Sequence, residues 1–155
     1  MTEATAEPAR RNEQKWTKPL WEAGWAAIPT VLLERQRALG LDATDMNIIL
    51  HLVRHWWHAD ALPFPSKRAI AECMNVNVTT VRRHIARLEA DGLVRRERRT
   101  DPGRGQLSNA YDLSGLIAKA TPFANELLEE RKRRQEGDAE RRMRKRPRPV
   151  AKEGT

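Results

Sequence analysis

Cysteine is almost missing from this sequence. Its 155 residues contain one, Cys73, so no disulfide can form within the chain, which is what a cytoplasmic protein is expected to show. Long apolar runs are missing too. No segment approaches the ~20 consecutive apolar residues of a membrane span, and none near Met1 resembles the core of a signal peptide. Catalytic signatures are also lacking: there are no paired cysteines, no metal-binding helix motif and no glycine-flanked nucleophile. The glycines at 103 and 105 are not followed by the Lys-Ser/Thr that a phosphate-cradling loop needs. These absences argue against an enzyme, and no cofactor is expected.

Positive charge is abundant. The formal net charge is +8, with a pI of about 10.4, which points to a polyanionic partner. The excess is uneven. Residues 66–104 carry ten basic against five acidic side chains and residues 131–155 carry eleven against four, while 1–65 and 105–130 are slightly acidic.

The first basic segment holds the most informative pattern. Ser66 is a good N-cap for a short helix with Ile70, Cys73 and Met74 on one side. Met74-Asn75-Val76-Asn77 suits a tight turn, and Asn77 can cap a second helix that Gly92 ends in a left-handed conformation. At about 100° per residue, Val81, Ile85 and Leu88 fall in one buried stripe. Thr79, Arg83 and Ala86 face the other way, flanked by Thr80, Arg82 and Arg87. Small polar residues at the start of such a helix, with arginines further on, suit the major groove of duplex DNA. LVRRERRT then reads as a strand and QLSNAYDL as its return. DPGRGQ forms the tip and presents Arg104 between two glycines.

The run PSKRAIAECMNVNVTTVRRHIARLEADGLVRR resembles the winged helix-turn-helix of bacterial regulators. It departs from that pattern at Asn75 and Asn77, where Gly and Ser are usual, and both departures suit a left-handed turn residue and an N-cap. Over residues ~16–120, the combination GWAAIPTVLLERQRALGL, HWWHADALPFPSKRAIA and SNAYDLSGL is similar to helix-turn-helix proteins of bacterial plasmids, phages and integrated elements, which are similar to the N-terminal domains of some replication initiators. The resemblance implies a mainly α winged helix-turn-helix with a two-stranded β wing, extra N-terminal helices and a C-terminal helix.

Around this motif, residues 1–15 are polar and expected to be disordered, 16–130 form the domain, and 131–155 form a disordered basic tail that holds phosphates. Trp16, Trp21 and Trp25 lie in a segment of little net charge and are expected to cover an open edge of the core. Thr30 begins a helix that Gly40 ends. Thr44 or Asp45 caps another that runs to about His58, with Met46, Ile49, Leu50, Val53 and Trp57 as its buried stripe. His51, His55 and His58 share its other face, but three ligands from one straight helix make a poor tetrahedral site, so no metal is expected. Cys73 is expected to be a small buried hydrophobe. Ser114 caps a last helix, in which Pro122 suits a kink or a break. Its apolar face from Leu116 to Leu128 either joins two copies in a homodimer or packs on the tryptophans of the same chain.

These features imply a sequence-specific protein of double-stranded DNA, a transcriptional regulator and repressor of a mobile element. The alternative is a replication or plasmid-maintenance protein using the same surface. Thr79, Thr80, Arg82, Arg83 and Arg87 would face the major groove, and Asn77 at the start of their helix would contact the DNA with them. Ser66, Lys67 and Arg68 would hold phosphate, and Arg104 would reach the backbone or minor groove. An RNA-binding role would call for stacking aromatics on an exposed sheet, which the hairpin lacks.

Overall fold

Asp42 begins the first long helix, and it does so through a reciprocal cap. Its side chain accepts a hydrogen bond from the Asp45 backbone N–H at 2.7 Å, and the Asp45 carboxylate accepts one from the Asp42 N–H at 3.0 Å. The cap therefore falls earlier than Thr44 or Asp45, because Asp45 serves as the returning member of the box. In the computed structural model, which describes residues 11–145, this helix is α4, Ala43–Arg54. Before it come α1 over residues 11–16, α2 at Lys18–Glu22 and α3 at Thr30–Glu34. Helix α1 replaces part of the disorder expected of residues 1–15.

The stripe that α4 buries is Met46, Ile48, Ile49 and Leu52, together with Asp45. Leu50 is exposed and Val53 half-buried, and the helix ends at Arg54, so Trp57 and His58 lie beyond it. The three histidines accordingly do not share one helical face. Next come α5, Lys67–Met74, and α6, Val78–Ala90, joined by three residues. Asn75 takes the left-handed conformation (φ 53°), the Val76 N–H returns to the Ala71 carbonyl at 3.0 Å, and the Asn77 side chain accepts from the Thr79 N–H at 2.8 Å. On α5, Ile70 and Ala71 are buried and Met74 is half-buried. Cys73 is exposed, against expectation, with its Sγ 3.8 Å from the Arg54 guanidinium.

Helix α6 buries Val81, Ile85 and Leu88 against α4 and α5. Each such side chain is worth roughly 1.5–3 kcal/mol when fully removed from water. Gly92, at φ 69°, ends the helix, and the Leu93 N–H returns to the Leu88 carbonyl at 2.9 Å. The wing follows as one hairpin in two ladders. β1 (Arg95–Glu97) pairs antiparallel with β4 (Ala110–Asp112), and β2 (Thr100–Asp101) with β3 (Gly105–Gln106). Tyr111, buried on β4, also donates its N–H to the Pro63 carbonyl at 2.9 Å, tying the wing to the segment before α5.

Helix α7, Ser114–Lys145, runs without a break through Pro122 and on past residue 131. The composition there suggested disorder, but it is composed of good helix formers. Glu129 and Arg133, Glu130 and Arg134, Asp138 and Arg142, and Glu140 and Arg144 each stand at i, i+4 in the favourable order, a spacing worth ~0.2–0.5 kcal/mol per pair. Leu116 and Ala120 are buried in the core, Phe123 packs against it, and the helix lies on α3, where Arg35 approaches Glu126 and Glu130 at about 4 Å. The apolar face of α7 is thus occupied in part by its own chain, beside α3, and Ile117 and Leu128 remain exposed. Trp16 and Trp25 are exposed, contrary to their expected role as a core cover. The whole is a mainly α winged helix-turn-helix with extra N-terminal helices and a long C-terminal helix. Among the described residues, no helix is long and apolar enough to cross a membrane.

Helix α7 meets the exit of α6 at Gly115. A Cβ there would overlap the Gly92 carbonyl oxygen, which is backbone and cannot rotate away. Gly115→Ala is expected to cost 1–3 kcal/mol or more, the range for overpacking. In urea denaturation the midpoint should fall at unchanged slope, and a midpoint equal to the wild type would refute the close approach.

Candidate nucleic-acid interface

The start of α5, one side of α6 and the returning strand of the wing enclose a cleft of about 250 Å³. Ser66, Lys67 and Arg68 line it from α5, Val78 and Arg82 from α6, and Gln106 to Asn109 with Tyr111 from the wing. Ser66 is an N-cap whose Oγ accepts from the Ala69 N–H at 3.0 Å, so the backbone N–H groups of the first α5 turn are presented there. Lys67 is half-buried. Burial depresses its pKa, and the positive charges of Arg96 and Arg82 depress it further, with Glu89 acting in the opposite sense. Cations crowded in this way are relieved by an anion.

Beside the cleft, Thr79, Arg82, Arg83 and Ala86 are exposed on α6 and Thr80 is half-buried. Arg104 is exposed at the wing tip. There the Asp101 side chain accepts from the Gly103 and Arg104 N–H groups at 2.8 and 2.9 Å, and Gly105 takes φ 75°. The side chains of Arg68, Arg82, Arg83 and Arg104 have no ion pair with any described residue. The other wing arginines are engaged within the molecule. Arg95 bonds Glu97 and Asp112, Arg96 bonds Glu89 at 2.7 Å, and Arg98 bonds Gln106. Arg99 lies 3.9 Å over the Phe64 ring and donates to the Ser108 carbonyl. Phe64 and the wall from Gln106 to Asn109 had no signal of their own in the sequence, because their place follows from how the hairpin folds back.

Two of the expected contacts have other work. The Asn77 side-chain oxygen is spent on its cap. Arg87 is turned toward α4, where it bonds both Asp42 and Asp45, and these bonds raise its pKa. His84 joins the same cluster, its Nδ1 2.7 Å from Asp45 Oδ1. Asp42, Asp45 and His84 are also the group whose ligand atoms lie close enough to hold a cation. The Arg87 guanidinium already bonds both of its carboxylates.

Partial burial alone would raise the Asp42 pKa. The hydrogen bonds from the Asp45 backbone and Arg87, aided by the charges of Arg87 and His84, outweigh it and hold the group at about 2, below its ordinary 3.8. A depressed acid stabilises the fold fully above about pH 4 and loses that contribution as the pH falls toward 2. Asp42→Asn keeps a capping oxygen and removes the charge. It is expected to cost about 1 kcal/mol at pH 6, allowing for solvent screening at this half-exposed side chain, and almost nothing at pH 2. Urea titrations at the two pH values measure this, and an equal cost at both would sink the assignment.

Residues 39–94 match the model of a family described as a helix-turn-helix domain. No curated protein matches the chain. Among solved structures, it is similar to the N-terminal domain of the DnaD protein from Geobacillus kaustophilus, at 23% identity and a TM-score of 0.52 over 73% of this chain and 92% of that one. It is also similar to a possible transcriptional regulator from Methanosarcina mazei, at 18% identity and a TM-score of 0.41 over 63% and 82%. A further similarity is to MarR, at 22% identity and a TM-score of 0.38 over 74% and 84%. Residues 39–94 thus match a helix-turn-helix domain, within a fold that the chain shares with the DnaD N-terminal domain.

Proposed function

We propose that the chain binds double-stranded DNA at a specific sequence and regulates transcription, as a repressor belonging to a bacterial mobile element. It acts by binding, without catalysis, in the cytoplasm. The observation that carries this reading is a cleft lined by the unpaired cations Arg68 and Arg82, with Arg83 on the same helix and Arg104 at the wing tip also unpaired among the described residues. Thr79, Thr80, Arg82 and Arg83 enter the major groove and read base edges. Ser66, Lys67 and Arg68 hold a phosphate of the flanking backbone, and Arg104 reaches the backbone or minor groove. A single module of this kind buries only ~600–1,000 Å² on DNA, so two copies occupy half-sites about one helical turn apart.

Arg83→Ala tests the groove assignment. It is expected to reduce discrimination between the cognate site and random duplex roughly 5- to 150-fold, the equivalent of ~1–3 kcal/mol, while leaving non-specific affinity largely intact. Equal loss on both DNAs at fixed salt would place Arg83 on phosphate. Footprinting across the neighbouring DNA tests the regulatory role. Protection overlapping a promoter supports it, whereas clustered repeats away from promoters would assign plasmid maintenance instead.

The second basic segment adds affinity without sequence. Deleting residues 131–155, with eleven basic against four acidic side chains, should weaken all duplex binding and make the salt dependence shallower. Selection from random oligonucleotides should return the same consensus, and an altered consensus would refute the assignment.

A further inference from the structure

A second surface stands apart from the cleft and shares no residue with it. Trp25 and Trp57 are 59% and 73% exposed, and with Leu50 they line a groove of about 460 Å³ that also includes His51, Arg54 and His55. Trp21 stacks on Trp25, with ring centroids 5.0 Å apart and planes within 8°. The two rings therefore form one stiff wall. Leu20 and Trp16, a few residues upstream, are exposed as well.

We propose that this groove is where a second copy of the chain docks, in a two-fold symmetric dimer. Area is the first argument. A packed aromatic side chain buries roughly 150–250 Å², so Trp25 and Trp57 together leave on the order of 250 Å² of apolar surface in water. That approaches the largest apolar patch of a typical monomer, ~300–600 Å². It is about a third of the ~800 Å² that one partner contributes to a standard interface. Charge is the second. The chain carries +8, but Arg54 is the single formal charge in the groove lining. Burial and the neighbouring Arg54 lower the pKa values of His51 and His55, so both imidazoles are neutral at pH 7. A nucleic acid has little to hold there, whereas apolar protein does. Self-complementarity is the third. A projecting Trp57 beside a groove supplies knob and hole on one patch, as a two-fold contact requires. The exposed large apolar residues of α7, Ile117, Leu128 and Met143, include no aromatic ring.

The symmetry fits the two half-sites of the DNA-binding reading and rests on it to that extent. Dimerisation is nevertheless measured without DNA, so either reading can fail alone. Sedimentation equilibrium of the full chain should show a dimer. Trp57→Asp, and separately Trp25→Ala in the segment after α2, should each raise its dissociation constant at least tenfold with an unchanged far-ultraviolet circular dichroism spectrum. Leu128→Asp should leave it unchanged. A wild type that is monomeric at high micromolar concentration overturns the proposal. So does a dimer that survives both groove substitutions or that Leu128→Asp dissociates. Quenching of tryptophan fluorescence by a single-stranded oligonucleotide on a monomeric chain would also overturn it, in favour of base stacking.

Discussion

One buried carboxylate fixes how the helix-turn-helix is held. Asp45 is fully buried, and an unpaired charge in that position would cost several kcal/mol. It is satisfied from three sides. The Asp42 N–H and the Arg87 guanidinium meet Oδ2, and the His84 ring meets Oδ1. The start of α4 and the second half of α6 are thereby joined by polar contacts, while Ile49, Leu52, Val81 and Ile85 fill the apolar space between them. Because Asp45 has one way of being satisfied, the rotation of α6 about its axis is set. The face bearing Thr79, Arg82 and Arg83 then has to point outward.

The wing depends on that placement and adds constraints of its own. Tyr111 bonds Pro63, Arg99 lies over Phe64, and Gly115 lets α7 start against the carbonyl of Gly92. These contacts hold the returning strand beside the start of α5 and so close the third side of the cleft. They also sort the arginines. Those on β1 and the following turn stabilise the wing, and those with no partner are left for a ligand. Positive charge in the sequence is therefore a poor count of contacts, since a guanidinium beside a carboxylate has already found its anion.

Apolar surface is divided in a similar way. Helix α7 gives Leu116, Ala120 and Phe123 to its own core and leaves Ile117 and Leu128 exposed. The N-terminal tryptophans do the opposite. They stack on each other and remain in water, away from the basic cleft. The molecule thus separates a strongly basic cleft from an aromatic groove whose lining carries one formal charge.

What the amino-acid order determined by itself is local. Ser66 and Asn77 as caps, Asn75 and Gly92 as left-handed stops, the stripe Val81, Ile85, Leu88 and the hairpin tip around Arg104 each depend on residues within four or five positions. Backbone geometry and side-chain chemistry over that range are decided before any distant segment arrives, so the winged motif and most of its outward face were legible. What only the tertiary structure decided involves partners far along the chain. Arg87 looks like its neighbours on α6, and only the arrival of Asp42 and Asp45, more than forty residues away, withdraws it. Cys73 and Leu50 fit a helical stripe as well as Ala71 and Ile48 do, and the packing of α4 against α5 and α6 chose between them. The tryptophans look like core residues by composition. Trp16 and Trp25 nevertheless lie outside, and it is α3 that packs against α7.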